Sequence, residues 1–448
     1  MTDQPFGFNP SQNPDDRGEG SSSGGGNTPP GGMPPGGVPF DMGQLGQMLS
    51  QLGQMLSQAQ TSGGGPVNYE LAKQIAVQQL AQSGGAAAAD QTGAVADAVH
   101  LAEMWLDPAT TLPAGARVAK AWSATDWVNE TLPTWQRLFD PVAQRVSGAW
   151  VDALPEEAKA AAGPMLAMVG QMGGMAFGSQ LGNALAQLAA EVLTSTDVGL
   201  PLGPEGTASL LPANIEKFTG GLERPASEVM VFLAAREAAH QRLFAHVPWL
   251  RQRLLATVEE FARGIKVDTA ALEQLATQID PSNPQSIEEA MRSGLLEPQT
   301  TPEQKSALTR LETLLALVEG WVDVVVGDAV GERLPGAEAL RETLRRRRAS
   351  GGPAEQTFAT LVGLELRPRR LRAAAALWRL VGDQHGIEKR DGIWAHPDLI
   401  PTAEDLDDPM EFSERLGAVG GLGDDPIAEL ERTEREEKER GESGPGQS

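Results

Sequence analysis

The segment from Arg236 to His240 has residue types and a spacing that could support metal-dependent hydrolysis. It reads Arg-Glu-Ala-Ala-His, and positions i and i+4 of a helix lie on one face. In the H-E-x-x-H motif, two histidines at this spacing bind one zinc ion, and the glutamate between them activates the zinc-bound water. Here Glu237 matches the base and His240 matches the second ligand. The segment therefore predicts a hydrolytic zinc site whose first ligand is missing.

Arg236 stands where that first histidine would be. A guanidinium group stays protonated and has no lone pair to give to a metal. The exchange therefore removes one coordination bond and adds a positive charge at the zinc position. A compensating ligand has to come from another part of the chain.

His246 is one source of that ligand. It follows His240 by six residues, the spacing of the third ligand in a longer form of the motif. That form places a glycine where this chain has Leu243, and on a straight helix six residues turn by about 600°, away from the His240 face. Pro248 nevertheless favours a helix break just before it, which keeps His246 as a predicted ligand.

Glu319 is the other source, with Asp323 one turn later on the same helical face. Many zinc peptidases take their third ligand from a glutamate on a following helix. Either carboxylate can instead form an ion pair with Arg236. The sequence thus leaves open a zinc site and a neutralised arginine.

Three separated blocks resemble one protein family, namely REAAHQRLFAHVPWLRQRL, EGWVDVVV and RDGIWAHPDLIPTAEDLDDP. They are similar to the actinobacterial zincin-like family of zinc-dependent metalloproteases or hydrolases, over roughly Gly115 to Pro409. One branch, linked to deazaflavin-cofactor biosynthesis, carries an intact H-E-x-x-H followed by the same V-P-W-L. The chain would belong to a branch with R-E-x-x-H.

The resemblance implies a zincin-like helical domain that binds zinc. It implies Glu237 as the general base and His240 and Glu319 as ligands. Because Arg236 departs from the family pattern, the resemblance implies the fold more strongly than the activity.

Most of the chain has helical spacing of apolar residues, from Val67 onward, and few period-two patterns. We expect a mainly α fold in one helical domain, residues 66–420, with at most a small β element between Thr194 and Glu223. Glycines 170, 174 and 178 recur every four residues and predict a buried helix that a neighbour approaches closely.

The two ends have a different composition. Residues 1–65 are rich in Gly, Pro and Ser, and residues 421–448 are rich in charge, which predicts disordered tails. Within the first tail, the repeat from Leu45 to Gln58 predicts either a short docking helix or a helix fragment that frays or contacts its own core.

Composition excludes several classes of protein. The absence of cysteine removes disulfides, thiolate catalysis and Cys-ligated metals. A formal charge of −24 disfavours nucleic-acid binding. The N-terminus lacks the pattern of a secretory signal, and no apolar run is long enough for a membrane span, so we expect a cytoplasmic protein. Serine-hydrolase, P-loop and dinucleotide motifs are missing as well.

Two further groups of residues have structural interpretations. His396 either approaches the site or caps a turn beside Trp394. The arginine runs 345–348 and 367–372 either contact phosphate or an acidic partner, or form a solvated face paired with neighbouring glutamates.

Two hypotheses follow from the sequence. The first is a zinc-dependent hydrolase acting on a peptide or protein, with Glu237 as base and His240, Glu319 and His246 as ligands. The second is a non-catalytic binding protein on a zincin scaffold, in which Arg236 neutralises the carboxylates of the metal site.

Overall fold

A computed structural model describes residues 66–82, 91–152, 163–222, 224–264, 301–349 and 370–421. This part of the chain is mainly α, as the sequence predicts. The predicted tails, including the repeat from Leu45 to Gln58, lie outside it, apart from Gly421. The helices are α1 (Tyr69–Gln82), α2 (Thr92–Leu106), α3 (Ala124–Asp152), α4 (Gly163–Ala189), α5 (Pro212–Thr219), α6 (Ala226–His246), α7 (Pro248–Arg263), α8 (Pro302–Val330), α9 (Ala337–Ala349), α10 (Leu371–Gly392), α11 (Ala403–Asp407) and α12 (Pro409–Gly421), and the strands are β1 (Val118–Ala121) and β2 (Thr207–Leu210).

The β element is a parallel pair formed by β1 and β2, with Val118 opposite Thr207 and Ala121 opposite Leu210. Only β2 and an antiparallel bridge between Thr194 and Leu210 come from the segment in which we expected the pair. β1 lies before that segment and was missed, because a four-residue strand is too short to give a period-two signal.

Helices α6 and α8 form the centre of the fold. Every residue of α6 from Phe232 to Leu243 is buried, as is every residue of α8 from Leu314 to Val326. α8 starts at a capping box between Thr301 and Gln304, and α6 ends before Pro248, where the sequence predicts a break. Polar residues on helices buried on all sides must find partners within the protein.

Buried hydrogen bonds connect α6 and α8 to neighbouring elements. Arg242 of α6 donates to the Glu103 carboxylate at 2.7 Å and to the Leu112 carbonyl at 2.8 Å. Trp321 of α8 donates its indole N–H to Asp391 at 2.9 Å, and Asp391 also accepts from the Thr110 hydroxyl at 2.6 Å. These bonds join α2, α6, α8 and the end of α10.

The glycine stripe of α4 allows the chain before α1 and α1 itself to approach closely. A Cβ added at Gly174 would lie 3.2 Å from the Pro66 carbonyl, and one at Gly178 would overlap the Asn68 carbonyl. Close approach is thus confirmed at Gly174 and Gly178, although the neighbour there is the chain just before α1 and not a helix, and Gly170 has nothing within 4 Å. No helix in the described ranges is long and apolar enough to cross a membrane.

We expect Gly178→Ala to destabilise the protein because its new methyl group meets backbone that cannot move away. Gly173→Ala is a matched control on the same helix, since Gly173 has nothing within 4 Å. The control should gain stability, by up to about 1 kcal/mol, from the higher helix propensity of alanine. Urea unfolding followed by tryptophan fluorescence measures both, and equal shifts for the two variants would contradict the close packing.

Candidate functional site

The centre of the site is a buried chain of three side chains on α6 and α8. The Arg236 guanidinium donates to Glu319 Oε2 at 2.6 Å, and His240 Nε2 lies 3.1 Å from Glu319 Oε1. The exposed fractions of these side chains are 9% for Arg236 and 2% for each of the others. Glu319 thus forms the ion pair with Arg236 that was one of its two predicted roles.

The hydrogen bonds of His240 determine where its protons lie. Nδ1 is 2.8 Å from the carbonyl oxygen of Arg236, one turn earlier. A carbonyl only accepts, so Nδ1 carries hydrogen. The Nε2 contact with Glu319 therefore requires a proton on Nε2 or on the carboxyl oxygen. In either form one proton is shared between Nε2 and Glu319 Oε1.

Asp323, one turn after Glu319, is held by two arginines of α9. Its Oδ2 accepts from Arg341 at 2.7 Å and from Arg345 at 2.6 Å. Burial alone would raise the pKa of Asp323, but the hydrogen bond and charge of Arg341, the charge of Arg236 and the hydrogen bond of Arg345 together hold it below its usual value. Asp323 is thus an ionised, fully paired carboxylate.

Glu237 is completely buried and points away from Arg236, Glu319 and His240, toward the loop before β2. Its Oε1 accepts from Ser195 Oγ at 2.5 Å and from Gln241 Nε2 at 3.0 Å. Its Oε2 accepts from the backbone N–H and the hydroxyl of Thr196, at 3.1 and 2.6 Å. The backbone N–H of Ser209 adds a longer bond of 3.4 Å. Both oxygens are therefore occupied by neutral donors.

Ser195 and Thr196 were not identified from the sequence as site residues. They lie in an irregular segment forty residues before the motif, and hydroxyl residues in such segments are common. The signal for Gln241 was available, because it follows Glu237 by four residues on the same helical face.

The structure does not bring His246 close to the Arg236, Glu319 and His240 side chains. It is the last residue of α6, exposed to solvent, with Nε2 3.2 Å from the Ala114 carbonyl. The helix break at Val247 comes one residue after His246, too late to redirect it. His396 is also exposed and its ring accepts from the backbone N–H of Asp398, which confirms its interpretation as a turn cap.

Comparison with known proteins identifies the family. Residues 67–413 match the family described as zincin-like metallopeptidase. The chain belongs to this family. A crystal structure from Chloroflexus aurantiacus, described as "a putative hydrolase with a novel fold", is similar with a TM-score of 0.56 and 19% identity, over 78% of this chain and 99% of that one. At that identity the likeness shows a shared fold alone. No curated protein matches the sequence significantly.

Zincin-like peptidases bind zinc, but the residues present here do not fit the ion. Arg236 has no lone pair for a metal and its charge lies against the acidic candidate ligand. Within the ranges that the structure covers, no three His, Asp or Glu side chains are grouped so that they could hold a metal. His240 and Glu319 alone would give two protein ligands, fewer than the three of a catalytic zinc site.

We expect Glu237→Gln to destabilise the protein by about 1–3 kcal/mol, the usual effect of leaving buried donors unsatisfied. Whichever way the amide is turned, its NH2 group faces a backbone N–H, that of Thr196 or that of Ser209. Glu216→Gln, at an exposed position of α5, is the control and should change little. Urea unfolding at pH 7 measures both, and a Glu237→Gln variant as stable as the control would refute this role.

The depressed pKa of Asp323 predicts a pH-dependent contribution to stability. Asp323→Asn should lower the free energy of unfolding by about 1.5–3 kcal/mol at pH 7, as expected for hydrogen bonds to charged groups. The contribution is complete above the pKa of an unfolded aspartate, about 3.9, and disappears as the pH falls through the lower pKa of the folded state. Between pH 7 and 3, the free energies of unfolding of the wild type and of Asp323→Asn should therefore converge only below about pH 4.

The control for this series is Asp407→Asn, whose carboxylate is 68% exposed beside Arg370. It should cost less than about 1 kcal/mol. A difference for Asp323→Asn that is absent at pH 7, or that shrinks well above pH 4, would contradict the assignment.

Proposed function

We propose that this zincin-like protein is a non-catalytic binding protein, in which Arg236 takes the place of the metal ion. The observation that carries the proposal is the 2.6 Å bond from the Arg236 guanidinium to Glu319. In an active site of this type, that carboxylate and His240 would share a zinc ion. Here Glu319 bridges His240 and the Arg236 guanidinium, a cation that is part of the protein itself.

The surroundings of Glu237 support the same proposal. A general base needs a carboxylate oxygen that can reach the water it deprotonates. Both oxygens of Glu237 already accept hydrogen bonds from Ser195, Thr196 and Gln241, and the side chain is completely buried. Glu237 thus serves to attach the loop before β2 to α6.

The alternative function is zinc-dependent hydrolysis, with Glu237 as base and His240, Glu319 and His246 as ligands. The observation in its favour is the 3.1 Å approach of His240 Nε2 to Glu319 Oε1 from two different helices. It requires Arg236 to leave Glu319, which would strand a buried carboxylate or guanidinium at a cost of about 3–5 kcal/mol. It also requires His246 to move from the far end of α6.

The partner that fits the proposal is a peptide or a protein, the class of molecule that peptidases of this family act on. Retention of a zincin scaffold without a metal site preserves the surfaces that surround the old active centre. We assign the chain to the actinobacterial R-E-x-x-H branch of the family, a cytoplasmic protein that does not bind nucleic acid.

Metal content tests the proposal. Tag-free wild-type protein, dialysed against zinc and analysed by elemental analysis, should hold much less than one zinc per chain. Arg236→His should gain about one zinc, because it supplies the missing imidazole and removes the competing cation. Arg236→His combined with His240→Ala should lose that zinc again.

Wild-type protein that holds about one zinc, lost in His240→Ala, would overturn the proposal and favour the hydrolase. Arg236→Lys is the matched control, since it keeps the positive charge and adds no ligand to the site. It should stay free of zinc. If Arg236→His does not fold, the wild-type measurement decides alone.

A further inference from the structure

Helix α9 contacts the site through three arginines that lie within seven residues of one another. Arg341 and Arg345 donate to Asp323 at 2.7 and 2.6 Å. Arg347 donates to Asp197 at 2.9 Å and to the Glu191 carbonyl at 2.6 Å. The solvated face that we expected from this arginine run is confirmed for Arg346, which pairs with Glu342, and is wrong for Arg345 and Arg347.

Apart from these ion pairs, few apolar residues of α9 are buried in the part of the chain that the structure describes. Leu340 and Leu344 are buried on its inner side, with Ala337 at its start. A turn with a glycine at each end, Gly331 and Gly336, connects it to α8. Helices docked mainly through charges lose less on opening than helices docked through apolar area, because separated charges regain hydration.

The surfaces beneath α9 belong to the site. Asp323 lies one turn from Glu319 on α8 and feels the charge of Arg236. Asp197 belongs to the loop that contains Ser195 and Thr196, the donors to Glu237. A Cβ added to Gly199 in the same loop would lie 3.3 Å from Glu319 Oε1. Arg347 therefore connects α9 to the loop on the other side of the site.

We propose that α9 is a releasable cover over the arginine-substituted site, held shut by Arg341 and Arg345 on Asp323 and by Arg347 on Asp197. Release would turn about the segment from Gly331 to Gly336 and expose Asp323 to solvent. This regulation rests on the proposed function, in that the covered site is the one with which the protein would recognise its partner.

Thiol labelling tests the cover, and the chain contains no native cysteine to interfere. Leu344→Cys places a thiol on the inner side of α9, and Val325→Cys places one in the centre of α8, where Val325 has no exposed surface. Each is reacted with Ellman's reagent under native conditions. Adding Arg341→Ala and Arg345→Ala should accelerate labelling at 344 at least tenfold more than labelling at 325, which reports the loss of global stability.

Arg346→Ala is the matched control, because Arg346 is adjacent to Arg345 and 77% exposed. It should leave both rates unchanged. Parallel acceleration at 344 and 325 would mean global destabilisation, and no acceleration at 344 would mean that the arginines do not hold the helix. Either result overturns the proposal.

Hydrogen exchange of the unmodified protein provides a test without variants. Amides of α9 should exchange through an opening that leaves those of α6 and α8 protected, whereas exchange of α9 together with α8 would refute the cover. The metal content of the same sample separates the two proposals. Zinc in the wild type would end the non-catalytic function, while labelling and exchange would still decide whether α9 opens.

Discussion

The buried bond between Arg236 and Glu319 is the constraint on which the rest of the site depends. A guanidinium cannot lose its proton at any pH that a folded protein survives, so its charge must be balanced where it lies. At this depth, only a carboxylate with direct hydrogen bonds balances it at acceptable cost. Once Glu319 is committed to Arg236, the remaining charged groups need partners of their own. Asp323 therefore takes its partners from α9, outside the α6 and α8 pair.

The same constraint explains the position of His240. A histidine that binds zinc through Nε2 is normally oriented by a hydrogen bond from its other nitrogen. That bond is present here, from Nδ1–H to the Arg236 carbonyl, and Nε2 still faces the acidic residue of α8. Arg236 and His240 therefore both contact Glu319, each at a different carboxylate oxygen. The single carboxylate of Glu319 thus fixes two side chains of α6 at once.

The sequence predicted the features that depend on neighbours along the chain. Helical periodicity gave the mainly α fold, Pro248 gave the break after α6, and the chemistry of arginine gave an ion pair with Glu319 as one of two outcomes. Features that depend on distant segments were missed. Ser195 and Thr196 act through hydroxyl and backbone donors that have no distinctive spacing, and Arg345 looked like one member of a solvated run. His246 illustrates the opposite case, since its motif spacing was suitable and the helix ended one residue too late to turn it inward.

The arginine of α6 and the arginines of α9 both neutralise acidic residues of the site, but they differ in how easily they can leave them. Arg236 lies in the buried middle of α6, so its bond to Glu319 can break only if the core opens. The arginines of α9 lie on a short helix with a small apolar contact, and the Arg345 and Arg347 side chains are 20% and 25% exposed. Water can therefore replace the arginines of α9 while the bond between Arg236 and Glu319 stays intact. Glu319 therefore stays neutralised by a side chain of the protein itself, whereas the proposed release of α9 would change the charge that the site presents to a partner.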